Sequence, residues 1–339
     1  MPSESVNFRA CGPGRPVPRT KLRAMYRLRL DPWAPEYEGA LGLVENEAAE
    51  VLVELDVEPV AWGALRPRSL VPGCIAFIDG VRRVEHRLHV EAVGRSYHGL
   101  LGSLGVGAAE ARDRVRVTET RVERLACIGG GLAIDAIPLV FGRTQLEFQP
   151  VSVPENTPMA PLQALQSAMR RAEADLARAA EADLVVLDGP LTHADRVRGP
   201  VVGFVKRLLQ RYLPAEREAL LPGLAPGERT PLFSILDPSG RRPRYSCYMR
   251  LAHGRPIESG LAGLARLEIP GSLGLAEARR VADLATAHLP RFASDPVHDP
   301  RAPQNLYPLG GLENELRRRL GDTLVIRRAI EARLMREVA

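Results

Sequence analysis

The chain has 339 residues and a mass of 37.1 kDa, enough for one large domain or two. Hydrophobic residues make up 45% and charged residues 26%, so a sizeable core is expected and wholesale disorder is excluded. The net charge of +5 and the pI of about 9.3 lean towards polyanionic partners without naming one.

Residues 1–25 are rich in Pro, Gly and Arg and lack the apolar stretch of a secretory signal, so a flexible basic arm is expected. In the segment 26–70, the acidic run 45–50 reads as a short helix and VLVELDVEPVAW as a strand leading into the main domain. Residues 74–78 (CIAFI) read as a buried strand ended by the turn dipeptide Asp79-Gly80. Residues 84–93 alternate polar and apolar, which predicts a second strand returning beside the first. Residues 101–110 are small and glycine-rich, and 114–128 and 132–148 read as further strands.

Then the period changes. Leu162, Leu165, Met169, Ala172 and Leu176 fall on one face of a helix over 161–180, with Pro161 suited to its first turn. Residues 184–187 form a short apolar strand, again ended by Asp-Gly at Asp188 and Gly189. Residues 200–213 (PVVGFVKRLLQRYL) read as a helix. Strands are expected at 231–236 and 245–251, joined by the turn-rich DPSGRRPR, and at 266–269. Helices follow at 275–289, 309–320 and 324–338, the first two separated by a Pro- and Asp-rich loop at 294–303. This order predicts an α/β fold with early antiparallel strands and parallel pairing in the later β–α–β passage. The main domain is expected over 71–325, with an Arg-rich helical tail over 326–339.

No stretch is apolar and long enough for a transmembrane helix, so the cytoplasm is the expected compartment. Cys11, Cys74, Cys127 and Cys247 are far apart, with no C-x-x-C pair. Reduced, mostly buried thiols are expected, rather than a zinc site or disulfides.

Asp79 and Asp188 each follow a short buried strand and precede Gly. Strand ends of an open α/β sheet are where ligands bind, and if the two strands are neighbours the carboxylates meet. The plainer alternative is that each Asp-Gly is simply a turn. Glu173 lies about 20° outside the helix's roughly 80° apolar stripe. A carboxylate bordering a buried face is costly unless paired or bound to metal; the alternatives are a reach to solvent or an ion pair with Arg170. Together the three acids form a set of hard oxygen ligands suited to Mg²⁺ or Mn²⁺, and such ions activate water against a phosphodiester. Only Lys21 and Lys206 are lysines among 46 basic residues. Lys206 borders an apolar stripe after the second Asp. There it either holds a phosphate oxygen or a water near the acids, or snorkels at the surface.

The succession IAFIDG (75–80), MRRAE (169–173), VVLDGPL (185–191) and GPVVGFVKR (199–207) resembles the NurA nuclease family, and DPRAPQNLYPLGGLENELRRRLGD (299–322) resembles its bacterial branch. The likeness spans about residues 30–325. It implies an RNase H-like mixed-sheet core flanked by helices and a Mn²⁺-dependent (or Mg²⁺-dependent) DNA nuclease. It also implies a homodimer, in which residues 26–70 pack on the core or on the dimer partner, and a HerA-type hexameric ATPase as partner in end resection at double-strand breaks. Single- and double-stranded DNA would be the substrates, at the nucleoid in the cytoplasm. Asp79, Glu173 and Asp188 would be metal ligands and Lys206 the lysine of the site. The family's C-terminal motif often carries a histidine; residues 305–313 contain none, leaving Asp299 as first candidate for the fourth member and Asn305 as second.

Arg82, Arg83, Arg241, Arg242 and Arg244 are candidate DNA-backbone contacts, and Tyr248 a candidate contact near the site. The run 317–319 (RRR) is better read as a solvated helix face. Aromatic residues are only 5%, too few for an extended base-stacking platform. No Walker loop is present and the glycines at 129–131 lack its Lys-Ser/Thr, so no ATP hydrolysis is expected from the chain itself. Two other readings compete: a non-catalytic DNA clamp or adaptor for a ring ATPase, and another RNase H-like nuclease such as a resolvase.

Overall fold

Two long runs, β3 (Ile75–Ala92) and β4 (Arg95–Ala111), pair antiparallel along their length. The hairpin closes through Val93 and Gly94, both at positive φ, as a two-residue turn matched to the twist of its strands requires. This corrects two expectations. Asp79-Gly80 is not a turn: Asp79 pairs with Gly107 and Gly80 with Val106 in mid-strand. Residues 84–93 are not a returning strand but the far half of β3 itself. Asp-Gly signals a turn only when the chain must reverse there, and here the ladder continues on both sides.

The computed structural model describes residues 26–30, 51–68, 71–191, 199–208, 210–236 and 243–338. The expected arm at 1–25, the acidic run at 45–50, Cys11, Arg241 and Arg242 lie outside the described residues. The remaining strands are β1 (Tyr26–Leu30), β2 (Leu52–Glu54), β5 (Val115–Ile128), β6 (Ile137–Phe141), β7 (Thr144–Ser152), β8 (Leu184–Asp188), β9 (Val201–Val205), β10 (Phe233–Leu236), β11 (Arg244–Arg250) and β12 (Leu264–Pro270). Among the described residues they form one mixed sheet in the order β2-β10-β11-β12-β9-β8-β3-β4-β5-β7-β6, with β1 also on β3. The helices are α1 (Ala160–Ala179), α2 (Ala215–Glu218), α3 (Gly274–His288), α4 (Tyr307–Arg319) and α5 (Thr323–Val338). The expected α/β class, with a mixed sheet flanked by helices and C-terminal helices, is borne out.

The helix expected over 200–213 is a strand at its start. β9 lies between β8, to which it is parallel, and β12, to which it is antiparallel. All five of its residues are buried. A run covered on both faces carries no alternation, so a short apolar stretch reads equally as helix or strand; the β-branched V-V-G-F-V composition favours the strand. Lys206 therefore follows a strand, not a helix turn.

The sheet is covered on both faces. α3 and α4 lie over Phe77, Val186, Val202, Phe204 and Leu267. α1 lies over the other face, against Ile78, Leu100, Leu104, Val185 and Leu187. Cys74, Cys127 and Cys247 are free and buried, and burial pushes the thiols of Cys127 and Cys247 up to about 12.

Two buried ionic knots tie outlying segments to this body. Arg229 donates to both oxygens of Glu58 at 2.8 and 2.9 Å and to Asp283 of α3 at 2.8 Å. The Leu232 N–H also donates to Glu58, at 2.7 Å. Residues 51–68 are thereby fastened to α3. At the other end, the β3–β4 register shifts between Val84 and His86, and Glu85 there is fully buried. Glu85 accepts from Arg83 and Ser103, and Arg83 and Arg124 donate onward to the carbonyls of Leu320 and Gly321 at the end of α4. Arg327 of α5 donates to the carbonyls of Val84 and Glu85.

Burial alone would raise the Glu58 carboxyl, but Arg229 and the Leu232 N–H outweigh it and hold it below its ordinary value of 4.5. That stabilisation is complete above pH 4.5 and is lost as pH falls through the lower, folded value. Glu58→Gln is expected to cost about 3 kcal/mol in urea unfolding at pH 7, since it removes one of the two carboxylates, Glu58 and Asp283, that pair with buried Arg229. The gap from wild type should narrow below pH 4.5.

Candidate active site

Parallel pairing of β3 with β8 sets the site. Ile75 pairs with Leu184, and the ladder ends with Ile78 opposite Leu187. The next residues in each strand are Asp79 and Asp188, so one register step places two carboxylates side by side. Phe77 and Val186, two residues earlier, point into the α3–α4 face; the alternation of strand side chains aims Asp79 and Asp188 to the same face. Phe204 lies on that face too, so Lys206, two residues on, follows them. The edge of β3 that pairs with β8 next pairs with β1, from Leu88 onward. Among the described residues no strand covers that edge between Asp79 and Arg87.

Glu173 arrives from the opposite side of the sheet, on α1. It is only 3% exposed, and Arg170 Nη1 donates to its Oε2 at 3.0 Å. It reaches the sheet because Gly80 has no side chain. A Cβ at position 80 would stand 2.5 Å from Glu173 Oε1 and 2.8 Å from Met169 Cγ. The glycine of the second Asp-Gly pair also makes room for a side chain. A Cβ on Gly189, at φ +96°, would meet the Arg170 guanidinium at 3.1 Å. Arg170 Nη1 also donates to the main-chain carbonyl of Asp188 at 2.9 Å, so one guanidinium ties the helix acid to the end of β8.

Lys206 ties the other side. Its Nζ donates to Asp188 Oδ2 at 2.7 Å and to Asn305 Oδ1 at 3.0 Å. Asn305 is fully buried and its amide NH₂ donates to Asp299 Oδ2. Burial works against ionised Asp299, but the bonds from Asn305 and Arg301 outweigh it and hold its carboxyl at about 2. Both candidates for the fourth member are thus present, as successive links of one chain: Asp188, Lys206, Asn305, Asp299.

Asp79 is 7% exposed and accepts from the Gly80 N–H at 2.7 Å. Burial first, then the charges of Asp188 and Glu173, push its carboxyl well above the ordinary carboxylate range, against the opposing pull of Lys206. Asp188 Oδ1 is buried and has no hydrogen-bond partner among the described residues. Among those residues no three His, Cys, Asp or Glu side chains are gathered at the spacing of a metal site. The donor chemistry nonetheless fits a hard divalent cation: carboxylates of which one is raised by burial and by its acidic neighbours and one presents a buried oxygen without a hydrogen-bond partner among the described residues.

The candidate DNA contacts fare unevenly. Arg82 lies against α1: its Nε donates to Gln166, and burial and the nearby Arg170, itself the partner of Glu173, lower its proton affinity. Arg83 is instead committed to Glu85 and the α4 carbonyls described above. Arg244 pairs with buried Glu268 at 3.6 Å. Tyr248 is 2% exposed and stacks on Phe233, on the face away from Asp79 and Asp188, so its ring is core and not a DNA contact. Arg317, Arg318 and Arg319 pair with Glu313 and Glu315 along the surface of α4. Arg170 carried one legible signal, its position three residues before Glu173. Its bond to the Asp188 carbonyl had none, because it joins residues from separate elements.

A mixed sheet that sets acids side by side on neighbouring parallel strands belongs to the α/β proteins. The model of the NurA domain matches residues 75–309, and the chain belongs to the NurA family, a family of nucleases. No curated protein matches the chain.

Gly80→Ala is expected to displace Glu173 and lower nuclease activity at least tenfold, while circular dichroism stays that of the folded protein. Overpacking of this kind costs about 1–3 kcal/mol, to be read from urea unfolding.

Proposed function

We propose that the chain is a divalent-metal-dependent deoxyribonuclease that hydrolyses phosphodiester bonds at DNA ends. The observation that carries this reading is the in-register pair Asp79 and Asp188, with Glu173 brought to it through Gly80. Asp79, Glu173 and Asp188 would hold Mn²⁺ or Mg²⁺. Bound there, the cation supplies Lewis-acid polarisation of the phosphate and a more acidic water. The chain's own side chains do the rest. Lys206 orients Asp188, and its ammonium has three N–H groups of which two are directed to Asp188 and Asn305; the third is left for a phosphate oxygen. Asp299, held ionised, fixes the Asn305 amide and so the lysine. Arg82 is the arginine we assign to a backbone phosphate, on the strength of its place three residues after Asp79.

Family membership supports DNA end processing as the setting. Within it we place single- and double-stranded DNA as substrates, a homodimer as the working form, and a HerA-type hexameric translocase as partner in double-strand break repair in the cytoplasm. No helix among the described residues is long and apolar enough to cross a membrane.

Asp79→Asn and Asp188→Asn are each expected to reduce degradation of end-labelled DNA in Mn²⁺ at least 100-fold, and EDTA to abolish it in the wild type. DNA binding, read by fluorescence anisotropy, should persist. Metal-free Asp79→Asn should melt no lower than wild type, because it removes like-charge repulsion from a buried group. DNA bound but uncut under Mn²⁺ and Mg²⁺, with the translocase supplied, would favour a non-catalytic clamp. Preference for branched over linear DNA would favour a resolvase.

A further inference from the structure

The chain of bonds that reaches Lys206 does not end at Asp299. The Arg301 main-chain N–H donates to Asp299 Oδ1 at 2.9 Å, and its Nε donates to the same oxygen at 3.1 Å. On the other side, Arg301 Nη1 donates to Glu313 Oε2 of α4 at 2.6 Å, and Arg317 donates to the second oxygen of Glu313 at 2.8 Å. One guanidinium therefore joins the loop that carries Asp299 to the body of α4. A planar fork with donors on two sides serves two carboxylates in fixed directions, which the point charge of a lysine does not.

An ion pair as exposed as this one contributes little by itself. What matters is the direction it imposes. Lys206 only donates and an ionised Asp299 only accepts, so the Asn305 amide between them has one orientation: its oxygen to Lys206 and its NH₂ to Asp299. Turned over, it would set N–H groups against the ammonium. Burial works against the ionised Asp299. After Asn305 itself, it is Arg301, through its main-chain N–H, its guanidinium and its charge, that holds the carboxyl at about 2. The Arg301 carbonyl also accepts from the Asn305 main-chain N–H at 3.2 Å. The first turns of α4 approach this group at a glycine. A Cβ on Gly310 would stand 3.3 Å from Asn305 Nδ2, 3.6 Å from Asp299 Oδ2 and 3.8 Å from Arg301 Nη2.

We propose that Arg301 is a positioning residue of the nuclease site, with Glu313 as its anchor. Seated between Asp299 and Glu313, it fixes the Asn305 amide and, through that amide, the Lys206 ammonium. This rests on the nuclease reading and deepens it: the orientation of the lysine at the acids is set from α4, through three intervening side chains.

The test uses the full chain labelled with ¹⁵N at its lysine side chains. The sequence has only two lysines, so Lys21→Arg assigns the Lys206 signal. The exchange of the Lys206 ammonium protons with water is read by NMR, without metal or DNA. It should quicken about fivefold or more in Arg301→Gln and in Glu313→Ala. It should not change in Arg318→Gln, whose arginine pairs with Glu315 outside this chain of bonds. With Mn²⁺ and end-labelled DNA, Arg301→Gln should lower kcat about tenfold or more and leave KM within about twofold. Circular dichroism checks each fold, and Glu313→Ala carries the test should Arg301→Gln not fold. Fast exchange of Lys206 already in the wild type, an unchanged rate in the folded variants, or a loss confined to KM would overturn the positioning role. Quickened exchange in the variants of a protein that cuts no DNA under any metal sinks the nuclease reading alone. Metal-dependent cleavage with a Lys206 exchange rate indifferent to Arg301 sinks the positioning role alone.

Discussion

Everything in this site follows from like charges set side by side. The register of β3 against β8 puts Asp79 next to Asp188, and no rotamer choice undoes a pairing made by the backbone. Burial, then the charges of Asp188 and Glu173, raise the proton affinity of Asp79, and the fold answers with two cations of different geometry. Lys206 is a compact charge that meets Asp188 and Asn305 from beyond β9. Arg170 is a planar fork that spans from Glu173 to the end of β8. Each holds one acid in place; neither covers Asp79.

The site also uses both faces of one sheet. Asp79, Asp188 and Lys206 belong to the face under α3 and α4, and Glu173 to the face under α1. Acids on opposite faces of a closed sheet would stay apart. Here Glu173 comes near enough to Asp79 to raise its carboxyl because residue 80 is glycine. The long β3–β4 hairpin carries the strand well past Asp79, so the acid sits on a backbone pinned at both ends rather than on a loose strand tip.

Much of this was legible in the sequence. The paired Ile-Asp-Gly and Leu-Asp-Gly strands, the helix bearing Glu173 at the margin of its apolar stripe, and the isolated Lys206 all stood out by residue type and spacing. What misled was local. Asp79-Gly80 has turn chemistry, but its glycine serves a helix contact made by residues 89 and 93 positions away in sequence. The V-V-G-F-V run is apolar throughout, and only its two strand neighbours decide its form. Arg83 and Tyr248 have the composition of nucleic-acid contacts, yet the first caps a helix over 230 residues on and the second is packed against Phe233. Long-range partners leave no mark in the spacing of nearby residues.

The buried knot of Glu58 with Arg229 and Asp283 has a consequence for what counts as the unit of this protein. The stretch that defines family membership starts at residue 75, yet an arginine within it is satisfied by a glutamate 17 residues before that start. At the far side, the carbonyls of Val84 and Glu85 receive Arg327 from beyond residue 309. A fragment trimmed to the matched span would leave a buried arginine with Asp283 but without Glu58 at one margin, and strand carbonyls without their donor at the other. Homology marks where selection on chemistry is visible; cooperative folding draws a wider boundary, and the electrostatics of its margins decide where the chain can be cut.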